Sequence, residues 1–149
     1  MTVSGQYCTF QIGDMTLGVN ALAVQEIIRA QPTTRVPLAE PAIAGLINLR
    51  GQIVTAIELR CRLRLPPRPA DARPMNVVVR TPDGVFSLLV DRICDVIDVS
   101  ETAFDRPPEN VAPDIRALIV GAFKLPDRLL LVLDTDRLVR ADTGAGDLS

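Results

Sequence analysis

Two acidic pairs come closest to a site for acid–base chemistry: Asp91 with Asp95, and Asp134 with Asp136. Two carboxylates flanking a bond can divide general-acid and general-base work between them. The same residues also suit a simpler use, as strand-end, capping or surface acids. Nothing else in the chain completes a reaction centre. There is no His, which removes Ser-His-Asp and Cys-His arrangements and any histidine phosphoacceptor. No G-x-x-x-x-G-K-[ST] or G-x-G-x-x-G run is present to cradle phosphate. Cys8, Cys61 and Cys94 are odd in number and far apart, unsuited to a zinc site or a disulfide framework. Each reads as a small buried hydrophobe. No metal or cofactor is therefore expected. Arg60, Arg62, Arg64 and Arg68 crowd beside prolines. They suit a solvated basic face or, more sharply, a contact with an acidic partner surface.

Composition narrows the classes further. Hydrophobic residues make up 48% of the 149 and aromatics only 3%, so the core must be built from Val, Leu, Ile and Ala. Eighteen acids stand against sixteen bases, which lacks the basic excess of a nucleic-acid binder. Stacking platforms for single strands are missing too. Met1-Thr2-Val3-Ser4-Gly5 shows no basic leader, and no apolar run approaches the ~18 residues of a membrane span. The expectation is a cytoplasmic protein with no direct membrane insertion.

The elements that must position these residues are strands. Short apolar runs at Tyr7–Ile12, Ile53–Ile57, Asn76–Val79, Val85–Val90, Ile93–Val99, Leu118–Phe123 and Leu129–Leu133 are separated by Gly, Pro and Asp, as in an all-β barrel or sandwich. In the first run Cys8, Phe10 and Ile12 alternate with Tyr7, Thr9 and Gln11, so one face is expected to enter the core. Gly13-Asp14, Pro82-Asp83-Gly84 and Pro126-Asp127 carry turn chemistry. Short helical turns are expected at Asn20–Ala23, at Arg60–Leu65 and after Asp134, whose carboxylate can cap free N–H groups. Pro66–Pro74 is too rich in proline for a central strand and reads as a connector. Glu101–Pro113 reads as a long loop, and Asp142–Ser149 as a frayed tail.

The two halves resemble each other. Gly45 through Glu58 lines up without gaps on Gly121 through Asp134: Gly45 meets Gly121, Ile53 meets Leu129, Ile57 meets Leu133 and Glu58 meets Asp134. Upstream, Val24-Gln25-Glu26-Ile27-Ile28 lines up with Ile93-Cys94-Asp95-Val96-Ile97. Two similar small barrels packed side by side would produce this pattern, with a groove at their seam. Glu58 is a longer and poorer cap than Asp134, so the helix after it should be held more weakly.

At this segment the chain resembles a known family. Gly45-Leu46-Ile47-Asn48-Leu49-Arg50-Gly51, followed by Gln52-Ile53-Val54, is similar to the signature of CheW-like domains. Leu17-Gly18-Val19 and Val24-Gln25-Glu26-Ile27-Ile28 look like the family's first hairpin and its Val-x-Glu-Ile strand. Pro37 and Pro41, Leu89-Val90-Asp91-Arg92-Ile93, and Leu133-Asp134 with Leu138 extend the resemblance from about Gln6 to Val139. Thr55 stands where the family usually has Pro, and Glu58 where it usually has Asp.

The resemblance implies two packed five-stranded SH3-like barrels with short helical turns. It implies a single domain over 1–149 in two lobes, approximately 6–68 and 74–140, with a flexible tail 141–149. It further implies a non-enzymatic adaptor that couples the regulatory domain of a CheA-type histidine kinase to the cytoplasmic tip of chemoreceptors. Such a protein would be recruited to receptor arrays at the inner membrane. Val24, Glu26, Ile27, Asn48 and Arg50 match positions implied in protein binding. From the residues alone, Glu26 and Arg50 lie on neighbouring elements and can pair, and Arg50 can hold strand ends or grip a partner carboxylate. Val24 and Ile27 fall on opposite faces of a regular strand, one toward the core and one free to meet an amphipathic helix. Two other functions remain open: a CheW-like coupling protein of another motility or gene-control pathway, including a module with one working interface, and a small enzyme built on a carboxylate pair.

Overall fold

A computed structural model describes residues 5–99, 104–105 and 111–140. Most of the loop at Glu101–Pro113, the tail 141–149 and residues 1–4 lie outside the described residues. Among the described residues, eleven strands make up nearly all of the regular structure. They are β1 (Gly5–Ile12), β2 (Met15–Asn20), β3 (Val24–Ile28), β4 (Ile43–Leu49), β5 (Gln52–Glu58), β6 (Met75–Thr81), β7 (Gly84–Val90), β8 (Arg92–Val99), β9 (Phe104–Asp105), β10 (Ile119–Lys124) and β11 (Leu129–Leu133). The helices are short: α1 (Leu59–Arg62), α2 (Pro113–Arg116) and α3 over residues 135–140. A 3-10 turn at Ala21–Ala23 is capped by Asn20, whose Oδ1 accepts the Leu22 N–H at 2.9 Å. Every apolar run expected to be a strand lies in one, except that Leu118 falls in the turn before β10. The segment Pro66–Pro74 contains no strand.

The strands form two sheets. One has the order β8-β1-β2-β11-β10-β9, where β9 adds only two residues to five longer strands; the other has the order β3-β6-β7-β5-β4. The sheets do not divide where the connector divides the sequence. The first hairpin, β1–β2, joins strands from the second half of the chain, and β6–β7 joins strands from the first half. Each exchange is sealed by one parallel pairing, β2 with β11 and β7 with β5.

The internal duplication is visible in the hydrogen bonding. β4 carries one extra residue, Ala44, between Ile43↔Ile57 and Gly45↔Ala56. β10 carries Val120 between Ile119↔Leu133 and Gly121↔Val132. The Glu58 N–H donates to the Ala42 carbonyl and the Asp134 N–H to the Leu118 carbonyl, both at 2.8 Å. A bulge bends its strand and increases the local twist, so the same bend recurs at the same place in each half.

Strong curvature follows in the second sheet. Neighbouring strands are about 4.8 Å apart, so a flat five-stranded sheet would hold its outer strands roughly 19 Å apart. Instead Thr34, just beyond β3, exchanges two backbone bonds of 2.8 Å with Leu46 on β4, the opposite outer strand. Gly45 makes this approach possible. It sits at φ +148, and a Cβ there would stand 2.3 Å from the Thr34 carbonyl oxygen.

Each face of each sheet carries a buried cluster. The large shared core includes Phe10, Leu17, Ile57, Val77, Leu88 and Leu131, from both sheets. On the other faces lie two smaller cores: Ile47, Leu49, Val54, Ala56, Val78 and Leu89 in one sheet, and Tyr7, Phe123, Leu130 and Val132 in the other. The alternation in β1 was expected to bury one face, but Tyr7 and Thr9 are buried as well. A curled sheet needs its own filling, and the Tyr7 and Phe123 rings supply it with centroids 5.8 Å apart. Burial pushes the Cys8 thiol up. Cys61 departs from expectation: it is exposed, because it lies on the outer side of the one-turn helix α1, and Cys94 is half-buried.

Candidate functional site

The turn between β4 and β5 shows how the Asn-Leu-Arg-Gly segment works. Register pairs Leu49 with Gln52, leaving Arg50 and Gly51 as a two-residue loop. Both take positive φ, +54 and +88, the backbone sign of a type I′ hairpin turn. Gly suits its place. Arg does not, since a side chain in the left-handed region costs about 1 kcal/mol or more. Asn48 stabilises the turn by accepting the Gly51 N–H on Oδ1 at 2.8 Å.

Arg50 projects from this tip with 75% of its side chain exposed, while Glu26 on β3 is 17% exposed. Nη1 and Nη2 donate to the two Glu26 carboxylate oxygens, each at 2.8 Å. The pair thus bridges a hairpin tip to the opposite outer strand, beside the Thr34–Leu46 closure. Ile53, 61% exposed, stands directly across from Asn48. Nothing in the residues around Ile53 marks it, because an exposed apolar strand residue looks like a buried one.

Val24 and Ile27 depart from the expected arrangement. Gln25 is an extra residue in β3, between Val24↔Val79 and Glu26↔Val78, and Ile27 then pairs with Val77. Cross-strand partners share a face, so the bulge brings Val24 and Ile27 to the same side, that of the shared core. Val24 packs against that core, whereas Ile27 keeps 37% exposure. Glu26 is turned to the other face. The five residues are therefore divided: Asn48, Arg50 and Glu26 form one connected unit, Ile27 is exposed on the next position of β3, and Val24 is support.

The arginine stretch is not a solvated face. Arg60 and Arg68 have side chains only 14% and 9% exposed. Arg60 donates to Asp91 through Nε at 3.0 Å and Nη2 at 2.6 Å, and through Nη1 to the Pro66 carbonyl at 2.7 Å. Arg68 gives Nε to Asp91 at 2.9 Å, and Nη1 and Nη2 to Glu58 at 2.7 and 3.0 Å. The Gly13 N–H completes the Asp91 shell at 2.8 Å. Arg64 pairs with Asp114 at the surface. The sequence concealed this network because its acids lie in β5 and after β7, remote from the arginines along the chain.

Asp91 is thereby withdrawn from acid–base chemistry. Partial burial raises its pKa, but the bonds from Arg60, Gly13 and Arg68 outweigh this and lower it to about 2. It faces those donors, while Asp95 is exposed on β8. Asp134 caps α3, accepting the Arg137 N–H at 3.2 Å, and Glu58 caps α1 through the Arg60 N–H at 3.3 Å. Thr55 pairs regularly with Leu46 and Phe86 in a place where the resemblance leads one to expect proline. Among the described residues no group of three or more Cys, Asp or Glu is placed to hold a metal ion.

Known proteins agree with this arrangement. The profile of the CheW-like domain matches residues 6–143. Chemotaxis protein CheW of Bacillus subtilis is 32% identical over 130 residues, covering 87% of this chain and 83% of the relative. Chemotaxis protein CheW of Helicobacter pylori is 30% identical over 137 residues, covering 92% and 82%. Among solved structures, the scaffolding protein TtCheW from Thermoanaerobacter tengcongensis superposes with a TM-score of 0.80 at 24% identity, covering 93% of this chain and 89% of that one. With its two curled, hairpin-exchanged sheets and the Asn48–Gly51 turn in place, this chain belongs to the CheW-like domain family.

Proposed function

We propose that this chain is a non-enzymatic coupling adaptor of a chemotaxis pathway, joining a CheA-type histidine kinase to chemoreceptors. The observation that carries the proposal is the likeness to chemotaxis CheW proteins along nearly the whole chain. The kinase would be bound through its own CheW-like regulatory domain, and the receptor through the helical hairpin at its cytoplasmic tip. Arg50, Glu26 and Ile27, with Asn48 and Val24 holding the turn and the strand, are the residues assigned to this binding. The exposed guanidinium of Arg50 and the exposed Ile53 of the same hairpin suit an amphipathic helix that offers an acceptor next to an apolar residue. No helix among the described residues is long and apolar enough to cross a membrane. The adaptor would work on the cytoplasmic side, recruited to arrays by what it binds.

Calorimetry tests the proposal directly, with the regulatory domain of a kinase and a receptor cytoplasmic fragment from the same genome. Saturable binding to both is expected. Binding to one alone would make the chain a capping or sequestering module, and binding to neither would overturn the coupling role.

A further inference from the structure

The loop after Thr34 spends conformational energy on displaying a leucine. The Ala39 N–H donates to the Val36 carbonyl at 3.2 Å, closing a turn with Pro37 second and Leu38 third. Leu38 has φ +66. Proline second and positive φ third define a type II turn, whose third position favours Gly or Asn. Leu38 is also fully exposed, at 105%, and Val36 beside it is 38% exposed. Backbone strain and an unburied apolar side chain fall on one residue, and neither stabilises the isolated chain.

The same loop carries a complement to its own knob. A concavity of about 380 Å³ lies beside the turn, lined by Val36, Pro37, Pro41, Ile43 and Ala44, with Leu38 itself on its wall. Arg35 and Glu40 frame the turn with opposite charges, and neither side chain has an ionic or hydrogen-bonding partner among the described residues. A two-fold contact between identical surfaces requires knob, hole and both charges on one patch. Turning a second copy antiparallel sets Arg35 against its Glu40 and Glu40 against its Arg35, with Leu38 entering the facing concavity. From this we infer that loop 35–44 is a contact between two copies of this chain. A patch this small falls below the ~1,200 Å² of stable interfaces, so the contact is weak and serves copies already gathered at high local density.

Sedimentation of the full chain from about 10 µM to about 1 mM tests it, a range suited to weak interfaces. Weight-average mass should rise toward twice the monomer. Leu38→Gly fits the turn, so it should keep or raise the melting temperature while weakening self-association at least about tenfold. Arg35→Glu and Glu40→Arg should each abolish self-association, and an equimolar mixture of the two should restore it, since every facing pair is then opposite in sign. A wild type that stays monomeric throughout, a Leu38→Gly protein that associates unchanged, or a mixture that remains monomeric overturns the inference. If Leu38→Gly lowers only kinase or receptor binding, the loop belongs to that partner and the self-contact is likewise overturned.

Discussion

Arg50 reaches Glu26 across the open side of a five-stranded sheet, two bonds of 2.8 Å joining a hairpin tip to the opposite outer strand. The geometry is bidentate, yet the guanidinium is largely in water. Exposed ion pairs contribute about 0–1 kcal/mol, and the left-handed backbone of Arg50 costs about as much. The pair therefore shapes a surface more than it holds a fold.

Arg50→Gly separates the two roles. Relief of the positive φ should offset the lost pair, leaving unfolding free energy within about 1 kcal/mol of wild type in urea titrations. Affinity for the receptor fragment should fall about tenfold or more, the loss of one charge-assisted contact. A variant that unfolds much more easily would make the pair a structural clasp instead.

Gly45 and Gly51 should respond differently to alanine. At Gly45 the new methyl meets the Thr34 carbonyl oxygen at 2.3 Å, so the Thr34–Leu46 bridge must open, and a loss of about 3 kcal/mol or more is expected. At Gly51 nothing lies within 4 Å, and only the φ of +88 resists, at about 1 kcal/mol. Equal melting temperatures for the two variants would contradict the closure described for this sheet.

Asp91 ties acid stability to the arginine network. Its pKa falls from 3.8 to about 2 on folding, so the unfolded chain binds its proton first as pH drops. The stabilisation, about 2 kcal/mol, is complete above about pH 4 and vanishes as pH falls through about 2. Asp91→Asn should cost about 3 kcal/mol near neutrality, since it leaves the largely buried Arg60 without a carboxylate and Arg68 with Glu58 alone. The gap between wild type and variant in urea midpoints should narrow below about pH 4. A constant gap down to pH 2 would contradict the network.

The capping difference predicts a difference in amide exchange. The Leu63 N–H donates to Leu59 in α1 at 2.9 Å, and the Leu138 N–H to Asp134 in α3 at 3.0 Å. Both residues are buried. Leu63 should exchange faster, because Glu58 is the poorer cap and its carboxylate is shared with Arg68. Slower exchange at Leu63 would mean that Arg68 and the Arg60–Pro66 bond outweigh the cap.

Much of the fold was legible. Periodicity placed the strands, and the Gly45–Gly121 and Glu58–Asp134 matches disclosed a repeat that the bulges at Ala44 and Val120 reproduce. What stayed hidden depended on partners distant in the chain. Nothing in Arg60 or Arg68 reveals that Asp91 faces them, nor does Tyr7 reveal Phe123. The bulge at Gln25 escaped for a different reason. One extra residue leaves composition untouched but turns Ile27 to the face that Val24 occupies. The Asn48–Arg50–Glu26 unit was the most readable part of the site, since a two-residue hairpin turn has local chemistry and its neighbour carries the opposite charge.

The exchanged hairpins set a timetable for synthesis. β2 borders β11, where Leu17 lies opposite Leu131 near the far end of the chain. As the chain leaves the ribosome, its first hairpin emerges with a bare edge and must wait for β11, the last strand among the described residues, to arrive. Only the sheet containing β3 to β7 can form early, so it should serve as the template on which the remainder condenses. Pairings this distant make folding slow and leave apolar edges open to aggregation meanwhile. The architecture that interlocks the finished adaptor thus makes the nascent one dependent on protection until its final strands are made.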